Sequence, residues 1–435
     1  MADAPVTIDK LAFGGSGIGR IDGKVCFVPY SCPGDELSVS IVSEKRSYLT
    51  GSISKILTPS SQRTDPVCPL FGTCGGCDWQ HIRYEQQKES KRQILADALW
   101  RGARVGGDRI RQMVASQLQY GYRSRVQFKL YKPADKLEIG FFRHNSHSVV
   151  DAPQGCPIAA PAINESLVSL RSVLAVFPDQ ENLLQINIEG AEQGIVAIVH
   201  YVGEERDRAA SFFLQHQDRL KPLTGLYLQT GRKSNLHKVY GDDQLIYHLP
   251  TGAGDEFSLG FRPGSFSQVN ALQNRAMLDL VRSLAHFTGK EQVLDLYCGN
   301  GNFSLPIARE VANVTGIEES AESIAAAVDN TRRNGLNNTH FVCSDASKAT
   351  KRLADEGRSF DTIIIDPPRS GAVETVKEIS RLRPAKIIYI SCDPSTLARD
   401  CGLLGGNGYQ VCVSVPVDMF PQTYHIESVT LLERI

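Results

Sequence analysis

From Asn270 onward the chain alternates helix, buried strand, helix, buried strand, and this pattern limits its fold more narrowly than any other feature. The segments Val293-Leu-Asp-Leu-Tyr297, Val314-Thr-Gly-Ile317, Thr362-Ile-Ile-Ile365 and Lys386-Ile-Ile-Tyr-Ile390 are near-continuous apolar runs. Strands of that kind are covered on both faces, as in a parallel sheet between helical layers. Open sheets of this type bind ligands beyond the C-terminal ends of their strands. The last of the four delivers Cys392 to that edge in Ser391-Cys392-Asp393-Pro394, where the chain turns into a helix. A cysteine there is an inert filler if sealed in the core and a nucleophile if it reaches the thiolate form. Its neighbours decide between the two.

At 435 residues the chain is too long for one core and implies two or three domains. Its first part has short alternating strands between glycine-rich turns, Val6-Thr-Ile8, Lys24-Val-Cys-Phe-Val28, Glu36-Leu-Ser-Val-Ser-Ile41 and Leu49-Thr-Gly-Ser-Ile53. That spacing predicts a small OB-type β-barrel. Pro59 and Pro66 mark a polar linker. Residues 84–100 then read as a helix with Ile94, Leu95, Ala98 and Leu99 on one side. Roughly residues 123–247 are strand-rich, and no internal repeat or low-complexity tract interrupts the chain.

The net charge of −1 excludes nothing, but its distribution is uneven. Residues 81–145 hold 14 Lys or Arg against 6 Asp or Glu, a footprint suited to a polyanion or to a solvated helix face. Met1-Ala-Asp-Ala-Pro-Val has no basic segment leading into an apolar stretch. No apolar run approaches the roughly 18 residues of a membrane span. The expectation is a cytoplasmic protein that does not enter membranes. Eleven cysteines, several inside apolar stretches, argue against a disulfide framework.

Three of those cysteines are spaced C-x5-C-x2-C in Cys68-Pro-Leu-Phe-Gly-Thr-Cys74-Gly-Gly-Cys77. Glycines let such a loop fold back so that sulfurs converge. Cys156, followed by Pro157, is the best candidate for a fourth ligand, because a Cys-Pro pair ends ferredoxin-type runs. The spacing is compatible with an iron-sulfur cluster, with a four-cysteine zinc site and with unligated thiols.

The strand ending at Tyr297 leads into Cys298-Gly-Asn-Gly-Asn302-Phe-Ser304 and a short helix. Glycines there allow close backbone approach to a ligand at a helix N-terminus. Ser304 replaces the third glycine of the dinucleotide fingerprint, which weakens an NAD reading. Glu318 follows about 20 residues on, where a carboxylate can bind both ribose hydroxyls. Asp345 ends the next strand, placed for an adenine amino group, and Asp366 the one after, in Asp366-Pro-Pro-Arg369. One acidic residue after one strand is a helix cap. Three in order read as a pocket for S-adenosylmethionine.

These motifs, with Phe266-Ser-Gln268-Val-Asn270, Asp295-Leu-Tyr-Cys-Gly-Asn-Gly-Asn-Phe303 and His425-Ile-Glu427-Ser-Val429, resemble those of the RNA uracil-5-methyltransferase family, and the likeness covers essentially the whole chain. The resemblance is to the branch with a TRAM domain and a [4Fe-4S] cluster that modifies 23S ribosomal RNA. It implies a multidomain α/β chain: a TRAM barrel over 1–58, a β-rich central domain with the cluster loop and a basic RNA-binding region over 59–262, and a Rossmann-like methyltransferase domain over 263–435. It implies a cluster on Cys68, Cys74, Cys77 and Cys156. S-adenosylmethionine would meet Gln268, Tyr297, Asn302, Glu318, Asp345 and Asp366. Read alone, Gln268 is a residue of a helix's first turn, Tyr297 is core and Asn302 is a turn residue.

The chemistry explains the need for these groups. Uracil C5 is a poor nucleophile, and thiolate addition to C6 makes an enolate with negative character at C5. The resemblance assigns that thiolate to Cys392 and the base that later removes the C5 proton to Glu427. His425 has no settled role. A paired uridine must be extruded for such attack. Lys45-Arg46-Ser-Tyr48 and Tyr120-Gly-Tyr122-Arg123-Ser-Arg125-Val-Gln-Phe128 are candidate RNA contacts. The competing expectations are a tRNA uridine-54 methyltransferase and a redox-responsive iron-sulfur RNA-binding protein without catalysis. A cytosine-5 enzyme would show a cysteine in the Pro-Pro motif. The expected assembly is a monomer.

Overall fold

The computed structural model describes residues 3–133, 136–231, 235–250 and 256–435. The C-terminal sheet has seven strands in the order Thr339–Cys343, Asn313–Glu318, Gln292–Leu296, Thr362–Ile365, Lys386–Ser391, Glu427–Arg434, Tyr409–Val417. The first five run parallel, as their apolar runs predict, and Thr362–Ile365 is buried throughout. The terminal strand Glu427–Arg434 inserts antiparallel to both of its neighbours. Its register pairs Ser391 with Ser428. One further step along that ladder sets Cys392 opposite Glu427.

Local chemistry fixes where each strand ends. The carboxylate of Asp393 caps the helix Pro394–Gly406 by accepting from the amides of Ser395 at 2.9 Å and Thr396 at 3.0 Å, with Pro394 in the first turn. Cys392 is therefore held between a strand and a capped helix. Asn270 caps the helix Ala271–Ala285 in the same way, so Gln268 lies in the preceding loop rather than in a first turn. Tyr297 packs against the core, as its place at the end of an apolar run predicts, and also reaches the cavity edge. It stands just beyond its strand with a φ of 65°, so its backbone turns away from the core ladder into the ligand-binding edge.

The N-terminal part forms a six-stranded sheet from Ala4–Thr7 to Tyr48–Thr58 around Val6, Ile8, Cys26, Val28, Leu37 and Val39. The central part carries a mixed seven-stranded sheet with the helices Pro161–Leu174 and Arg206–Gln215 packed on it. A hairpin of Leu245–Pro250 and Glu256–Phe261 packs Leu245 and Phe261 against that sheet. It also bonds to the C-terminal part, where Gly260 donates to Asn330 Oδ1 at 2.7 Å.

The helix Tyr84–Ala103 buries Ile94, Leu95, Ala98 and Leu99, the apolar stripe read from sequence. It docks on the C-terminal part, sharing a core with Leu397, Ala398 and Cys401. Gly102 permits this approach, since a Cβ there would lie 2.7 Å from the Cβ of Ala398. The same helix buries Lys91, whose Nζ meets Asp418 Oδ1 at 2.6 Å with both side chains 0% exposed. Lys91 is one of the 14 basic residues of 81–145, and its burial removes it from any basic surface there. Removing one partner of a buried pair costs about 3–5 kcal/mol, because the other is left without its counter-charge. Lys91→Met is expected to lower stability by that amount in urea titration, and Lys91→Met with Asp418→Leu to recover much of it. A single-variant cost below about 1 kcal/mol would contradict the pairing.

Candidate active site

The ligand edge of the C-terminal sheet opens into a cavity of about 1230 Å3. Gln268, Tyr297, Asn302, Glu318, Asp345, Asp366, Cys392 and Glu427 all line it. Six of these eight come from the ends of strands or the loops that follow them, which explains how residues scattered over the chain meet.

The side of the cavity next to the glycine turn is built by backbone and short polar side chains. Gly301 takes a φ of 90°, where a Cβ would also strike Leu305 at 2.7 Å, so the turn accepts only glycine without rearrangement. Glu318 accepts from the amides of Gly299 at 3.2 Å and Ser320 at 2.9 Å, which orients its carboxylate toward the turn. Asn302 pairs with Asn274 through reciprocal amide bonds of 2.8 and 2.9 Å, and Tyr247 donates to Asn302 Oδ1 at 3.1 Å. The hydroxyls of Tyr297 and Thr375 lie 2.9 Å apart. Asp345 caps the helix Ala346–Asp355, and bonds from Ser347 and the amide of Lys348 hold its carboxyl below the ordinary range.

The side of the cavity around Cys392 is crowded with acid. Burial, with Asp295 nearby, pushes the Asp366 carboxyl up to about 7. Asp295 itself is fully buried, accepts from Ser304 and is raised to about 7 by burial. Burial and then Asp366 raise Glu427 to about 8, against the pull of Arg369 and Lys91. Cys392 is half-buried and reaches the cavity. Burial, Glu427 and Asp366 raise its thiol to about 12, and Arg369 opposes them. Arg369 was visible in the Asp366-Pro-Pro-Arg369 motif without a role; its placement makes it the cation of the reacting end. His425 and Phe420 line the same cavity. Burial lowers His425 to about 4, so it is a neutral imidazole.

A second cavity, of about 400 Å3, is lined by Cys68, Cys74, Cys77 and Cys156 together. Burial raises the thiols of Cys74 to about 11 and of Cys77 further, and the neighbouring cysteines add to both. Among the described residues no group of three or more His, Cys, Asp or Glu is drawn together closely enough to hold a metal ion. The sulfurs instead ring a space, and Arg123 and Arg125 join its wall.

Two of the expected RNA contacts are changed by packing. Tyr122 is buried and donates to the carbonyl of Pro421 at 3.1 Å. Arg125 is drawn inward by the buried Glu189 at 3.1 Å and donates to the carbonyl of Ser265 at 2.6 Å. Phe128 is fully buried. Tyr48 stays exposed on the N-terminal sheet, beside the turn in which Lys45 donates to its carbonyl at 2.8 Å.

The raised Glu427 carboxyl has a consequence for stability. Its folded-state pKa lies above the unfolded value, so its contribution is complete in acid and is lost as pH rises through about 8. Glu427→Gln removes the buried carboxylate. The variant should melt a few degrees higher than the parent at pH 9 and at nearly the same temperature at pH 4. An equal difference at both pH values would refute the burial of charge.

Residues 83–435 match the family described as tRNA (Uracil-5-)-methyltransferase, and residues 4–54 match the TRAM domain. The chain is 33% identical over 432 residues to the protein of Shewanella amazonensis named 23S rRNA (uracil(1939)-C(5))-methyltransferase RlmD, covering 98% of this chain and 95% of that one. It is 34% identical over 434 residues to the protein of the same name from Mannheimia succiniciproducens, covering 99% and 95%. Among solved structures it resembles the Pyrococcus abyssi tRNA (uracil-54, C5)-methyltransferase in complex with S-adenosyl-L-homocysteine, with a TM-score of 0.78, 25% identity, and 99% and 100% of the two chains covered. With its strand-edge pocket, TRAM domain and match over residues 83–435, the chain belongs to the tRNA (uracil-5-)-methyltransferase family and is an S-adenosylmethionine-dependent RNA (uracil-C5)-methyltransferase.

Proposed function

We propose that the substrate is a uridine of 23S ribosomal RNA, with Cys392 as nucleophile and Glu427 as base. The observation that carries the residue roles is the shared cavity wall of Cys392, Glu427, Asp366 and Arg369. The names of the relatives support the choice of RNA. Bound S-adenosylmethionine supplies an electrophilic methyl group and a positive charge. Gln268, Tyr297, Asn302, Glu318, Asp345 and Asp366 would hold it.

Cys392 must lose its proton before it adds to C6 of an extruded uracil. Arg369 favours that loss, since a nearby cation lowers a thiol pKa. The C5 enolate so formed would take the methyl group, as the methyl–sulfur bond breaks with its electron pair going to the sulfonium sulfur, leaving S-adenosylhomocysteine as a neutral thioether. Glu427, as carboxylate, then removes the C5 proton, and β-elimination returns the C6–S electron pair to Cys392. A base near pKa 8 is suited to this step around neutral pH. Neutral His425 and Phe420 form an apolar-to-polar wall beside the reacting ring.

The three units 1–58, 59–262 and 263–435 divide the labour in this reading, with the helix Tyr84–Ala103 of the middle unit serving the catalytic one. The N-terminal sheet and its Lys45–Tyr48 turn hold the RNA. Cys68, Cys74, Cys77 and Cys156 would hold a [4Fe-4S] cluster. A cavity of about 400 Å3 with four cysteines in its wall suits a cage of atoms better than one zinc ion, whose sulfurs must converge to about 2.3 Å from a single centre. No helix among the described residues is long and apolar enough to cross a membrane. The enzyme acts as a monomer in the cytoplasm.

Cys392→Ala is expected to abolish methyl transfer and covalent trapping by RNA carrying 5-fluorouridine; trapping that survives would eliminate Cys392 as nucleophile. Glu427→Gln should still transfer methyl but accumulate a protein–RNA adduct, and its absence by mass spectrometry would count against the base role. Labelled S-adenosylmethionine with unmodified total RNA should place label in 23S RNA. Label confined to tRNA would support uridine-54 chemistry instead, the activity for which the Pyrococcus abyssi protein is named. Anaerobically purified protein should be brown and contain iron and sulfide; colourless protein with stoichiometric zinc would overturn the cluster.

A further inference from the structure

The segment 418–425 brings Phe420 and His425 into the catalytic pocket and leads directly to Glu427. Residues remote in sequence hold it. At its middle, Gln422 adopts a φ of 70°, a conformation a non-glycine residue keeps only when its surroundings enforce it. Its carbonyl accepts from the amides of Asp78 at 3.1 Å and Trp79 at 3.0 Å, the two residues that follow Cys77. Its amide donates to Gln87 Oε1 at 3.1 Å. Gln87 Nε2 donates in return to Gln422 Oε1 at 3.0 Å, and to the carbonyls of Trp79 at 3.1 Å and Ile82 at 2.8 Å. Both glutamines are buried. On either side, Lys91 donates to the carbonyl of Phe420 at 3.0 Å and Tyr122 to that of Pro421.

We propose that Gln87 and Gln422 are positioning residues through which the cysteine loop sets the place of Phe420 and His425 beside the reacting base. Every hydrogen-bonding group of Gln422 described above goes to Gln87 or to the backbone immediately after Cys77. A group bound by the cysteines would stiffen that backbone and, through two amides, the far wall of the active site. Neither glutamine lines the pocket, so neither is catalytic. A displacement of about 1 Å in such a wall can cost on the order of 100-fold in rate. The kinetic part rests on the roles of Cys392 and Glu427 given above; the structural part does not.

The test is hydrogen exchange with peptide resolution on the holoprotein, beside kinetics, for Gln87→Met, Gln422→Gly and Cys77→Ser. Gln87→Met keeps the side chain's size and removes its bonds. Peptides spanning 418–425 should exchange about tenfold faster in Gln87→Met and Cys77→Ser, while peptides of 339–343 do not change and S-adenosylmethionine affinity is kept. In Gln87→Met kcat should fall roughly 10- to 100-fold with little change in KM for RNA. Gln422→Gly, which keeps the backbone bonds and suits the φ, should lose less than Gln87→Met. Unchanged exchange at 418–425 in Gln87→Met or in Cys77→Ser would overturn the proposal. So would faster exchange throughout the catalytic sheet with loss of cofactor binding, which marks a general packing role. If the parent enzyme transfers no methyl group to RNA, the functional reading fails while the exchange result still decides the positioning.

Discussion

The active site depends on one strand running against the rest. In a parallel sheet every strand presents its C-terminal end at the ligand edge, so a residue at a strand's start lies on the opposite side. Glu427 opens the last strand of the chain, and only the antiparallel insertion of Glu427–Arg434 beside Lys386–Ser391 carries it to the edge where Cys392 emerges. The pairing of Ser391 with Ser428 makes Cys392 and Glu427 cross-strand neighbours. Substrate access, the electrostatic coupling of thiol and carboxyl, and the need for a supporting loop all follow from that register.

The same crowding sets the electrostatics at odds with stability. Burial raises the carboxyls of Asp295, Asp366 and Glu427, and neighbouring acids add to it, Glu318 at Asp295, Asp295 at Asp366 and Asp366 at Glu427. Burial, Glu427 and Asp366 also suppress the Cys392 thiolate, which Arg369 partly restores. Groups whose environments disagree with their charged states are expected where a reaction must alter those states. The burial of Lys91 and Asp418 is a different case, a complete pair with a further bond to the carbonyl of Phe420. It belongs to the scaffold that holds the wall of the site.

That scaffold joins all three parts of the chain at 418–425. Phe13 of the N-terminal part meets Tyr424 edge-on at 5.5 Å, and Tyr424 meets His425 at 4.4 Å. Trp79 Nε1 donates to the carbonyl of Gly15 at 2.9 Å while its amide donates to Gln422. On the other wall, Arg125 and Ser124 tie the backbone at Gly264, Ser265 and Val269, next to Gln268. The strand that lines the cysteine cavity therefore also anchors the loop that meets the cofactor pocket.

The local pattern of the chain was enough for the apolar parallel strands, the glycine turn after Leu296, the acidic strand ends, the N-terminal β-sheet and the Ile94–Leu99 stripe, because each is written in neighbouring residues. Motif likeness added Cys392 and Glu427, which spacing alone does not connect. What the sequence left open was decided by long-range packing. Tyr122, Arg125 and Lys91 carry the composition of an RNA-binding surface, yet Pro421, Glu189 and Asp418 claim them from distant segments. Tyr297 reads as core and does pack on it, but its positive φ also sets it on the cavity wall, which its position in an apolar run does not reveal. A residue's type and near neighbours determine which element it joins. Which partner it meets depends on the register of strands and the docking of helices far away in the chain, and no local pattern encodes that.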